Sequence, residues 1–169
     1  MNCDYCQEIE KGENSIYSDG DTVVLINSQP FLEGEILVLP KTHYIILEQI
    51  PDELLGKLWI ISNRLSAILF EKLKAEGTNI FIQNGLAAGQ VKNHFCIRLI
   101  PRKRDDGLNL TWNTKTLSDE EMGQIENLIK KELAAPSEVE LKPPEKIEKK
   151  EEELAKEEEY LIKALERIP

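Results

Sequence analysis

The chain has 169 residues, and 31 acidic against 21 basic side chains give it a formal charge of −10. That balance weighs against general attraction to nucleic acid or to anionic membrane surfaces. An apolar share of 41% suits one core-forming domain with an appendage, and no apolar stretch approaches the ~20 residues that cross a bilayer.

The start, Met1-Asn2-Cys3-Asp4, has neither the basic nor the apolar region of a secretory signal, so a cytoplasmic protein is expected. Residues 15–17 and 22–26 are β-rich runs flanking Asp19-Gly20, a turn signal, and read as a hairpin. Residues 35–39 are a third predicted strand, ended by Pro40. Pro51 opens a long helix, where its missing N–H costs nothing in the first turn. Leu54, Leu58, Ile61, Leu65, Ile68 and Leu73 recur as that helix's expected buried stripe, and Gly77 is its expected stop. Residues 79–83 and 94–100 are two further predicted strands, separated by the glycine-rich loop Asn84-Gly85-Leu86-Ala87-Ala88-Gly89-Gln90. Ser118 and Glu121 make a capping box ahead of a second helix, whose apolar side carries Met122, Ile125, Leu128, Ile129 and Leu133.

Pro136 and then Pro143-Pro144 break the pattern, dividing the chain into a body over 1–135 and a charged tail over 136–169. The tail holds 11 acids against 7 bases, which leaves −6 for the body. Glu-to-Lys pairs four apart at 145/149, 152/156 and 159/163 support an exposed helix over 145–168. Each such pair contributes about 0.2–0.5 kcal/mol. Ile147, Leu154, Leu161 and Ile168 recur every seven residues, but Glu151 and Glu158 sit in the companion seam. The tail helix therefore reads either as solvated or as a docking element for a protein partner.

Cys3-Asp4-Tyr5-Cys6 has the C-x₂-C spacing that puts two thiolates on one metal, although the same spacing also serves redox chemistry or none. The chain has only two histidines, His43 and His94, and a Cys₂His₂ zinc site would use both and pin the N-terminus to the sheet. The run His94-Phe95-Cys96-Ile97-Arg98-Leu99 alternates, sending positions 94, 96 and 98 to one face of a strand. Cys96, mid-strand, reads first as a small buried hydrophobe. Arg98 has a bidentate fork matched to phosphate, and with Arg102, Lys103 and Arg104 it forms a local basic knot suited to small phosphorylated ligands.

The order of these motifs carries a resemblance. Cys3-x-x-Cys6, Asn27-x-x-Pro30, Gly34 before a strand, Leu39-Pro40-Lys41-x-His43, Asn84-Gly85, Ala88-Gly89-Gln90, the alternating strand, Ile100-Pro101-Arg102 and Asp106-Gly107-Leu108-Asn109 follow one another over about residues 3–133. In this the chain resembles the histidine triad (HIT) superfamily of nucleotide hydrolases and transferases. The resemblance implies an α+β fold with an antiparallel five-stranded sheet, a long helix and a shorter C-terminal helix, paired as a homodimer. It implies zinc on Cys3, Cys6, His43 and His94, and a nucleotide site that includes Asn27, Asn84, Gln90 and Arg98. The family's nucleophile is the middle histidine of the triad, which attacks the α-phosphorus, and its position here is Cys96. The third histidine corresponds to Arg98, and a further histidine before the third strand corresponds to Glu35. Losing a covalent nucleophile removes several powers of ten in rate. The resemblance therefore points to a zinc-bearing nucleotide-binding or protein-interaction pseudoenzyme. The alternative is a nucleotide hydrolase or nucleotidyltransferase in which Cys96 or another residue has taken over. Arg98 either binds a ligand or pairs with Glu35, and such a pair would fill the pocket.

Overall fold

Runs of valine, isoleucine and leucine build the centre of a sheet from β2 (Thr22–Ile26), β3 (Ile36–Pro40) and β5 (Ile97–Arg102). With β1 (Ser15–Ser18) and β4 (Gly77–Phe81) at its edges, the sheet has the order β1-β2-β3-β5-β4 and every pairing is antiparallel. This computed structural model describes residues 3–134, in one unit that runs through Thr111 and a second that starts at Trp112.

The central strands are apolar at consecutive positions because both faces of the sheet are covered. Val24, Ile36, Val38, Ile97 and Leu99 pack with Leu58 and Leu69 of the long helix α2 (Asp52–Leu73). Val23, Leu25, Leu37 and Leu39 point the other way, onto Cys3 and Tyr5, at the head of a short helix labelled α1 (Asp4–Lys11). Fully burying a side chain of this size contributes about 1.5–3 kcal/mol, so two apolar layers clamp the sheet between α1 and α2. The expected α+β architecture with a five-stranded antiparallel sheet is the one observed.

Several boundaries differ from the sequence reading. That reading places no element over residues 4–11, yet they form α1, which ends where the Gly12 N–H, with φ +68°, bonds back to the carbonyls of Glu8 and Ile9. Eight residues are too few to hold a helix alone, and packing of Tyr5, Cys6 and Ile9 on the sheet supplies the stability. α2 stops at Leu73 rather than running to Gly77, because Lys74 itself takes the left-handed position, and Gly77 instead begins β4. The buried stripe of α2 centres on Leu58, Ser62 and Leu69, with Leu54, Leu55, Ile61 and Leu65 beside it, while Ile68 and Leu73 are about half exposed. Ser62 is tolerated in that stripe because its hydroxyl donates to the Leu58 carbonyl at 2.8 Å. The strand expected from position 94 joins the sheet only at Ile97, since the Phe95 N–H is taken by the Tyr44 carbonyl outside the ladder.

In the second unit the Ser118 capping box forms as expected. The Ser118 N–H donates to Glu121 Oε2 at 2.8 Å and the Glu121 N–H to Ser118 Oγ at 3.3 Å, opening α3 (Asp119–Ala134). The tail helix expected over 145–168, with the boundary at 135/136, lies outside the described residues. Among the described residues no helix is long and apolar enough to cross a membrane.

Candidate metal centre and adjoining cleft

Cys3 immediately precedes α1 and Cys6 lies one turn along it, so the start of a helix sets both thiols on the side that faces the sheet. His43 follows β3 by three residues and His94 precedes β5 by three, which brings two neighbouring strand ends to the same point. The ligand-capable atoms of all four residues lie within 4.8 Å of one another. Cys6 Sγ is 3.3 Å from His43 Nδ1 and 3.5 Å from His94 Nδ1, and Cys3 Sγ is 3.6 Å from His94 Nδ1. A tetrahedral ion with sulfur arms of ~2.3 Å and nitrogen arms of ~2.0 Å has sulfur–nitrogen edges near ~3.5 Å. Three of the donor–donor edges therefore match those of a tetrahedral ion, and the set as a whole lies within reach of one.

The protonation states agree with that use. The His94 Nε2–H donates to the Pro40 carbonyl at 2.9 Å, which leaves Nδ1 bare toward the thiols. Burial pushes the His94 pKa below its ordinary value, favouring the neutral imidazole that a ligand must be. Burial, with Cys3 alongside, pushes the Cys6 thiol up to about 11. Two adjacent thiolates need a cation between them, and a bound metal reverses that penalty.

His94 and Tyr5 also form part of the wall of a cleft of about 330 Å³. That volume lies within the range of small-molecule sites, roughly 300–1,000 Å³. Cys96 and Arg98 line the cleft with His94, so the expected alternation of faces survives even though the ladder starts late. Phe95, Ile97 and Leu99 go to the α2 side. Burial is the largest influence on the Cys96 thiol and raises its pKa far above the ordinary range, against the lowering effect of Arg98. It is held as a neutral thiol.

Arg98 is paired. Its Nε and Nη2 both reach Glu35 Oε1 at 2.6 Å, and Glu35 is fully buried. The same carboxylate accepts from Asn27 Nδ2 at 3.0 Å and from the Phe31 N–H at 2.6 Å, while the Phe31 ring centroid lies 4.0 Å from the guanidinium carbon. The ion pair therefore forms beside the cleft without filling it.

Of the other nucleotide-site candidates, Asn27 and Gln90 line the cleft and Asn84 does not. Gln90 spends its amide internally. Its Oε1 accepts from the Gly85 N–H, and its Nε2 donates to the carbonyls of Ile45 and Lys92. Asn84 accepts from the Leu47 N–H and donates to Glu48, stitching the glycine loop to the turn before α2. Sequence reasoning does not single out Tyr5, Glu8, Phe31 or Lys92 as lining residues. Recognising α1 would have found the first two, since Tyr5 and Glu8 are three apart on a helix.

Comparison with known proteins agrees with this geometry. The HIT domain family matches residues 8–105. The chain is 31% identical over 142 residues to an adenosine 5′-monophosphoramidase of Candida albicans, covering 78% of this chain and 91% of that protein. It superposes on the crystal structure of a HIT family member from Bacillus subtilis with a TM-score of 0.72 at 27% identity, covering 80% of this chain and 99% of the other. A zinc-bound histidine triad family protein from Mycobacterium smegmatis superposes with a TM-score of 0.60 at 29% identity, covering 79% and 96%. With a family match over more than half its length and the five-stranded architecture in place, the chain belongs to the HIT domain family.

Proposed function

We propose that this HIT-domain protein is a homodimeric binding protein that keeps a zinc centre and a nucleoside- or nucleotide-binding cleft but has given up phosphoryl chemistry. The supporting observation is the replacement set at positions 35, 96 and 98, where a neutral thiol and a guanidinium line the cleft and a buried acid beside it pairs with the guanidinium. A thiol attacks phosphorus as the thiolate, and burial opposes that form at Cys96. A guanidinium stays charged at all working pH values, so Arg98 has no proton to give a leaving group. Among the described residues His94 is the one imidazole on the cleft wall, and its bare nitrogen faces the thiols of Cys3 and Cys6.

Zinc, when bound by Cys3, Cys6, His43 and His94, supplies a structural clamp with no open position, and the zinc-bound mycobacterial relative supports that assignment. Tyr5 and Glu8 then form a fixed cleft wall, because α1 is anchored at its first turn. The nucleoside assignment draws on the phosphoramidase relative from Candida albicans and on the size of the cleft. The dimer reading draws on the family and on β4, an edge strand of the sheet whose outer side offers backbone groups to a second copy.

Incubation of the purified protein with adenosine 5′-phosphoramidate and with dinucleoside polyphosphates tests the reading. No nucleotide release above buffer is expected, alongside measurable calorimetric binding of an adenine nucleoside or nucleotide. Turnover that disappears in Cys96→Ala overturns it.

A further inference from the structure

We propose that the cleft selects an uncharged nucleoside over its phosphorylated forms, and that Glu35 and Glu8 set this preference. The inference rests on the reading that the cleft takes a ligand of nucleoside type, and it names which member of that class is favoured.

Two cations line the cleft, Arg98 and Lys92, and each already has a carboxylate. Arg98 gives two N–H groups to Glu35 at 2.6 Å, and Lys92 pairs with Asp4. Glu8 is the carboxylate on the wall itself, a third acid beside those two pairs, and among the described residues no cation pairs with it. Three carboxylates against two cations leave this site one negative charge in excess.

A phosphate at Arg98 meets a guanidinium whose charge is already neutralised by an acid that is 0% exposed, and drawing it away from that acid leaves an unpaired carboxylate at a depth where it is strongly unfavourable. The Phe31 ring against the guanidinium and the two further donors on Glu35 hold the pair in place. The Lys92–Asp4 pair is exposed and screened by salt, so discrimination falls mainly on Glu35 and Glu8. Ser28 and Gln29, which also line the cleft, are uncharged hydrogen-bonding side chains that suit ribose hydroxyls and a base edge.

Calorimetric titration of the full-length protein, purified with its metal, against adenosine, AMP and ADP at low salt tests this. Adenosine is expected to bind about tenfold or more tightly than AMP, and ADP more weakly still. Glu8→Gln removes one carboxylate from a partly exposed helical position outside the apolar core, so it folds normally and narrows the adenosine–AMP gap by several-fold. Glu35→Gln releases Arg98 and reverses the order, with AMP the tighter ligand. AMP binding as tightly as adenosine to the native protein overturns the inference and leaves the binding function standing. An unchanged gap in Glu8→Gln overturns it as well. Binding of none of the three ligands overturns the cleft assignment itself and this inference with it.

Discussion

Glu35, fully buried just before β3, receives two N–H groups of Arg98 on β5, so one ion pair ties neighbouring strands together beside the cleft. Removing one partner of such a pair strands the other's charge, at a cost of about 3–5 kcal/mol, whereas replacing both with apolar residues is close to neutral. Glu35→Leu is expected at the upper end because it also orphans the Phe31 N–H and takes one of two acceptors from the Asn27 amide. Arg98→Met should cost a similar amount because it strands a carboxylate that is 0% exposed, and Glu35→Leu with Arg98→Met less than either single change. Urea unfolding of the four proteins gives the coupling energy, and single-variant losses below about 1 kcal/mol would show the pair to be energetically idle.

The metal centre predicts a coupling between ion and N-terminus. α1 is anchored by Cys3, Cys6 and Tyr5, and its exposed Lys11 sits at the end of the helix. Chelation should lower Tm and open the Lys11 bond to trypsin, because structural zinc contributes several kcal/mol to small domains. Cys3→Ser should bring zinc well below one per chain by elemental analysis. Stoichiometric zinc in that variant would refute the centre.

The sheet is readable because β-branched runs bounded by turn residues leave few alternatives, and β2 and β3 fall within one residue of expectation. The four metal candidates are readable from residue identity alone, since C-x₂-C and two histidines exhaust the thiol and imidazole donors other than Cys96. α1 is not readable. Its eight residues are mostly polar, and its stability comes from tertiary packing that no local pattern announces. The end of α2 is misplaced in the sequence reading because Lys74 adopts a positive φ of 55° ahead of the glycine that ordinarily would. Pairing of Glu35 with Arg98 is one of two options at the sequence level, and the choice between them needs the β3–β5 register, which brings Arg98 opposite Leu37.

Acid stability should depend on the β1–β2 turn. Burial acts to raise the Asp19 pKa, but hydrogen bonds from Tyr17 Oη, the Asp21 and Thr22 N–H groups and Lys57 outweigh it and hold the carboxyl well below its ordinary 3.8. Arg102 and nearby backbone N–H groups hold Asp106 low in the same way. A folded-state pKa below the unfolded one stabilises the native protein fully above about pH 4 and loses that contribution as pH falls further. Tm is expected to decline mildly from pH 7 to 5, where the unfolded chain protonates the histidine that is buried neutral as His94, and to drop steeply below 4. Asp19→Asn should lower Tm at pH 7 by about 2–4 °C and make the acid decline shallower. An unchanged acid profile in that variant would remove Asp19 from the account.

Two glycines should respond in opposite directions to the same substitution. Gly34 precedes the buried Glu35 with φ +85°, and a Cβ there would lie 2.7 Å from Leu73 Cδ1. Leu73 is half exposed at the end of α2 and has room to swing aside, so the cost of Gly34→Ala comes chiefly from the backbone, about 1–2 kcal/mol. Gly56 lies inside α2 with nothing within 4 Å of where a Cβ would stand, and there alanine removes only unfolded-state freedom. Gly56→Ala should therefore stabilise by roughly 0.5–1 kcal/mol. Shifts of the urea midpoint at constant m-value give both signs in one experiment. A neutral Gly34→Ala would mean that the turn into β3 can relax to negative φ, and Glu35 would then be free to reorient without losing its partners.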